Sequence, residues 1–103
     1  MTEKELIELA AKAAGITGSW HRSGYVAYSG WGGSIFDPLN DDGDALRLAV
    51  RLDMHIALFG GAMESRVLAD GDDWSVEGWE CGKEEATRRA ITRAAAQIGK
   101  EME

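Results

Sequence analysis

The chain has 103 residues, 45% of them hydrophobic and 28% charged, and its 11 basic against 18 acidic residues leave a net charge of −7. That length fits one soluble domain and leaves no room for two, and the charge argues against long nucleic acid or an anionic membrane, which need a basic face able to displace counterions. A single cysteine, Cys81, excludes an internal disulfide and a cysteine-based zinc site. No apolar run approaches the roughly 20 residues of a membrane span, and Met1-Thr2-Glu3-Lys4 lacks the basic and apolar regions of a signal peptide. A reduced, cytosolic setting is the simplest expectation.

The first helix is marked by Thr2 and Glu5 at capping-box spacing. Leu6, Leu9, Ala10 and Ala13 form its apolar stripe. Gly15 is placed to stop it, with Ile16 folding back. The period then changes. Ser19–Arg22 and Tyr25–Ser29 read as a hairpin turning at Ser23-Gly24, and Gly30-Trp31-Gly32-Gly33 breaks the ladder. Phe36-Asp37-Pro38 enters a turn. Asn40 or Asp41 can cap a second helix over Asp42 to Leu52, whose stripe is Ala45, Leu48, Ala49 and Leu52, widened by Leu46 and Val50. Three strands follow, Met54–Phe59, Glu64–Leu68 and Trp74–Gly78. They are divided by the turn signals Gly60-Gly61 and Asp70-Gly71-Asp72-Asp73, which favour an antiparallel meander.

The last helix is expected from Lys83 to Ile98, closed by Gly99, with Ala86, Ala90, Ala94 and Ile98 in one row. The order α-β-β-α-β-β-β-α predicts a single α+β domain over residues 1–103, with three helices on an antiparallel sheet of four or five strands. Its core should include Leu6, Leu9, Leu48, Ile56, Leu58, Ile91 and Ile98, and Trp74 reads as core. Met54, Ile56 and Leu58 are expected to point inward. The opposite row, His55, Ala57 and Phe59, is also mostly apolar and must be closed by the hairpin or by a second copy, so a homodimer is expected.

No catalytic set emerges. The acidic run Asp37 to Asp44 fails the EF-hand pattern, because setting Gly43 as its glycine puts Pro38 at the first ligand position and Ala49 at the last. The loop Gly30-Trp31-Gly32-Gly33-Ser34 is not followed by the lysine and hydroxyl of a nucleotide-hydrolysis loop. Cys81 reads as inert, and His21 and His55 as structural or surface residues. The chain is therefore expected to be no enzyme and to need no metal or cofactor.

Two binding surfaces remain. Trp20, Arg22, Trp31, Arg88, Arg89 and Arg93 could stack on a base and pair with phosphate, giving a small-nucleotide pocket. Asp37, Asp41, Asp42, Asp70, Asp72 and Asp73 could meet a basic protein surface.

The stretch Phe36-Asp37-Pro38-Leu39-Asn40-Asp41-Asp42-Gly43-Asp44-Ala45-Leu46-Arg47-Leu48-Ala49-Val50 leads through a helix into an Ile-containing strand. Together with Ala86-Thr87-Arg88-Arg89-Ala90-Ile91 in the closing helix, it resembles the phage NinX family. The likeness runs from Leu6 to Ile98 in element order and covers Phe36–Ile56 and the last helix in residues. It implies a small accessory protein of a phage or prophage, working in the cytoplasm of a bacterial host, and it carries over no site residues. The expectation is stoichiometric binding of a host protein, with capture of a small signalling nucleotide in antiviral defence as the alternative.

Overall fold

Helix α1 (Glu3–Ala13) begins and ends on the signals expected of it. Thr2 Oγ1 accepts the Glu5 backbone N–H at 3.1 Å, and Glu5 Oε1 accepts the Thr2 N–H at 3.2 Å. At the other end Gly15 has φ +75°. Its N–H donates to the Lys12 carbonyl at 3.2 Å, and that of Ile16 to the Ala11 carbonyl at 2.9 Å. A residue without a Cβ takes this left-handed turn at no steric cost, so the chain leaves the helix and drops Ile16 into the core.

The computed structural model describes residues 2–31, 35–68 and 74–102. Strands β1 (Thr17–His21) and β2 (Gly24–Ser29) form an antiparallel hairpin. After an isolated bridge from Ile35 to Val26, the Phe36 N–H donates to the Tyr25 carbonyl at 2.9 Å. Helix α2 (Asp42–Arg51) is capped by Asp41, whose Oδ1 accepts the N–H groups of Gly43 and Asp44 at 2.8 and 3.2 Å. Strands β3 (His55–Phe59), β4 (Glu64–Leu68) and β5 (Trp74–Gly78) form an antiparallel meander in that spatial order, without a register slip. A 3-10 turn at Trp79–Cys81 leads into α3 (Lys83–Glu101). The expected turn Asp70-Gly71-Asp72-Asp73 and the Gly32-Gly33-Ser34 part of the glycine loop lie outside the described residues.

The protein is one α+β domain, with three helices and two antiparallel sheets, of two and three strands, among the described residues. Its radius of gyration of 12.9 Å matches the roughly 13 Å of a single domain of this length. The hairpin stands apart from the meander because its large side chains are drawn elsewhere. Trp20 donates to Glu8 of α1 at 2.7 Å, and Tyr25 meets Phe36 edge to face.

Helix α3 is the centre of the molecule. Ala86, Ala90, Ile91, Thr92, Ala94, Ala95, Ala96 and Gly99 are all buried in it, since it meets α1, α2, β4 and β5 at once. Gly99, expected to end the helix, lies inside it. A Cβ there would collide with the Leu9 carbonyl of α1, so this glycine provides room for a close crossing and is no stop signal.

The core holds Leu6, Leu48 and Ile91 as expected, while Leu9 and Ile98 are half-buried. Three expected core residues are exposed instead: Ile56 at 39%, Leu58 at 53% and Trp74 at 46%. Ile56 and Leu58 lie on the same face as the buried Val67 and Ser65, to which they pair across the strands. However, α3 lies over β4 and β5 and stops short of β3. Trp74 is on the opposite face, because Ser75 and Glu77 are the β5 residues paired with Val67 and Ser65.

Candidate functional site

The uncovered part of β3 forms one wall of a cleft. Ile56 and Leu58 face Ala45 and Leu46 of α2 across a floor made by Ile91 and Thr87 of α3, enclosing about 320 Å³. Asp42, Lys83, Glu84 and Arg88 make the rim. The cleft exists because α2 and β3 both lie beside α3 without reaching each other. Leu46, 59% exposed, is the outer member of the wider stripe on α2, and Val50, one turn on, is 67% exposed. A shallow trough lined by branched aliphatics, with charges confined to its rim, suits apolar side chains entering from outside.

The rim charges are partly spoken for. Arg88 donates from Nε to the Leu39 carbonyl at 2.8 Å and from Nη1 to Asp42 at 2.6 Å, tying α3 to the start of α2. Behind the rim a chain of donors runs from the Trp79 indole to Ser65 Oγ at 2.8 Å, between the Ser65 and Thr87 hydroxyls at 2.7 Å, and from Thr87 to the Lys83 carbonyl at 2.8 Å. Lys83 Nζ sits 4.9 Å from the centre of the Trp79 ring. Every polar group in that chain has a partner, so this end of the cleft is held rigid.

Among the described residues, no helix lies on the other face of the three-stranded sheet. It carries His55, Ala57 and Phe59 of β3, Leu68 of β4 and Trp74 and Val76 of β5, with Phe59 at 40% and Val76 at 47% exposure. Its charges are Glu64 and Arg66, paired with each other at 2.5 Å, with the Arg66 guanidinium 4.2 Å from the centre of the Phe59 ring. The hairpin does not close this face, so β3 shows large apolar groups on both sides.

The residues expected to bind a nucleotide are distributed over separate places. Trp20 is held by Glu8 and Tyr25, with Lys4 above its ring at 5.2 Å. Arg22 is exposed in the hairpin turn. Trp31 packs edge to face on Phe36 with centroids 4.9 Å apart, and the cations over it are Arg47 and Arg51 of α2, at 5.2 and 4.9 Å. Arg51 is fixed there by donating to the Ala14 and Gly30 carbonyls. Arg89 pairs with Glu3 of α1 at 3.1 Å, and Arg93 with Glu77 of β5 at 2.5 Å. Of the six, Arg88 alone lines the cleft. The pairing of Trp31 with Arg47 and Arg51 was not legible in the sequence.

Among the acids, Asp41 caps α2 and Asp42 pairs with Arg88. Asp37 accepts the Asn40 side-chain amide at 3.1 Å. Its backbone N–H donates to the buried Asp44 at 2.9 Å, and Asp44 also pairs with Arg47. This run is thus spent on starting α2. Asp70, Asp72 and Asp73 lie outside the described residues.

Cys81 is exposed. His21 bonds Tyr28 Oη at 2.9 Å and Ser19 Oγ at 3.2 Å on the hairpin, and His55 is exposed on β3. Among the described residues, no group of three His, Cys, Asp or Glu side chains is arranged to hold a metal ion, and no helix is long and apolar enough to cross a membrane.

No known protein family, curated protein or solved structure matches this chain.

Proposed function

We propose that the protein is a non-enzymatic binding module that acts stoichiometrically on a protein partner through the surface around β3. One observation carries this reading. Ile56, Leu58 and Phe59 of β3 and Trp74 and Val76 of β5 keep between 39% and 53% of their surface exposed. Apolar side chains concentrated in this way mark contact sites more often than free surface. The partner contributes apolar side chains to the cleft, and the charged rim sets their orientation. The resemblance to a phage family supplies the setting: an accessory protein in a bacterial cytoplasm whose target is a host protein.

The test is capture from bacterial lysate alongside a thermal-shift screen with cyclic dinucleotides, cyclic oligonucleotides and NAD-derived nucleotides. The expected result is one near-stoichiometric protein, retained by Arg89→Ala and lost with Leu46→Glu, which places a charge on the exposed α2 wall of the cleft. A saturable nucleotide shift abolished by Arg89→Ala or Trp31→Ala would replace this reading with small-ligand capture.

A further inference from the structure

The outer edge of β3 has no neighbouring strand among the described residues, and its sequence has a symmetry of its own. His55-Ile56-Ala57-Leu58-Phe59 reads the same in both directions by side-chain class: ring, branched aliphatic, methyl, branched aliphatic, ring. We propose that β3 pairs edge to edge with β3 of a second copy, antiparallel about a twofold axis at Ala57, joining two three-stranded sheets into one of six. This rests on reading the β3 surface as a docking site, and it names an occupant for the strand edge.

In that register His55 lies opposite Phe59 of the second copy, Ile56 lies opposite Leu58, and the two Ala57 methyl groups meet at the axis. Each side chain therefore finds one of its own kind at cross-strand distance. A twofold interface requires this self-complementarity, since the same patch must serve as both halves.

The edge also lacks the devices that keep strands apart. It contains no lysine, proline or charge, and it pairs with β4 in five unbroken steps without a bulge. In a chain of net charge −7, this seam brings no like charges together. The charges of β4, Glu64 and Arg66, neutralise each other. A second copy thus meets a neutral strip on an otherwise acidic molecule. Pairing would join the two open faces into one apolar platform and set the Ile56 and Leu58 walls of the two clefts side by side, so the partner's docking surface becomes twofold.

The register gives a sharp test. Directly opposed antiparallel residues have Cα atoms about 4.5–5.5 Å apart, inside the disulfide range of about 4.4–6.8 Å. In a Cys81→Ser background, Ala57→Cys should cross-link to itself across the axis under mild oxidation. Leu58→Cys, offset from its own mate, should do so at least about tenfold more slowly. By light scattering and sedimentation over about 10–500 µM, a range suited to a small interface, the wild type should dimerise. Leu58→Lys, at a half-exposed position, should remain a monomer, and Val76→Ser on the far strand should still dimerise.

A monomer throughout that range would overturn the proposal. So would a dimer that Val76→Ser dissolves and Leu58→Lys does not, which is the result expected of face-to-face stacking, or equal cross-linking by the two cysteines. The dimer is read with no partner present, and partner capture is scored on Leu46→Glu, so either can fail without the other.

Discussion

Three arginines in the last helix illustrate how residue spacing divides labour. Successive residues of an α-helix point about 100° apart, so Arg88 and Arg89 cannot share a target. They tie α3 to α2 and to α1, through Asp42 and Glu3, and Arg93 reaches Glu77 of β5. Basic residues close in sequence become three separate staples. Local spacing also sets the titration of Glu5. The Thr2 backbone N–H first, and the Thr2 hydroxyl second, hold its carboxyl below the ordinary carboxylate range. A depressed folded-state value means that the stabilisation is complete above the unfolded-state value and is lost as pH falls through the folded one. Acid should therefore fray the start of α1. Thr2→Ala should lower the Tm near neutral pH by about 4–8 °C, the size of a lost cap in a domain this small. The gap between variant and wild type should narrow in acid, as followed by circular dichroism. A gap independent of pH would show that the Thr2 hydroxyl does not help to hold the Glu5 carboxylate charged.

At the scale of elements, the fold was largely legible. Caps, stripes and turn signals placed all three helices and the meander strands to within a few residues, because each is encoded by neighbours in the chain. Exposure was not. The alternation in β3 shows which of its residues share a face, but how far α3 reaches across the sheet depends on the crossing of two distant helices. Ile56 and Leu58 are thus oriented as expected and yet line an open cleft. The cleft was visible only as hints, in the extra width of the α2 stripe at Leu46 and Val50 and in a strand apolar on both faces. Gly99 follows the same logic, since its role is fixed by the approach of Leu9 from 90 residues away. Gly99→Ala should raise local helix propensity and still destabilise the protein, by about 1–3 kcal/mol, because the added methyl pushes α1 from α3. Chemical denaturation should show a lower midpoint. A stabilised variant would mean that the crossing is not in contact.

At the scale of the whole molecule, two sheets share one core. Phe36, fully buried between hairpin and α2, stacks edge to face on Tyr25 and on Trp31. The same cluster continues through Ile7 of α1 and Leu48 of α2 to Ile91 of α3 and Val67 of β4. Neither sheet has a separate apolar layer, so the hairpin and the meander should melt together. Phe36→Ala should cost about 3–5 kcal/mol, a large share of the roughly 5–15 kcal/mol that holds a domain together. In urea, with Trp74→Phe and Trp79→Phe as background, tryptophan fluorescence reports Trp20 and Trp31 on the hairpin side of the core, whereas far-ultraviolet circular dichroism weights the helices, α3 above all. If the core is continuous, both signals shift to the same lower midpoint in the variant and remain superimposed. A fluorescence transition that precedes the helical one would divide the molecule into a hairpin unit and a helix–meander unit. The β3 edge would then belong to a part that stays folded without Phe36.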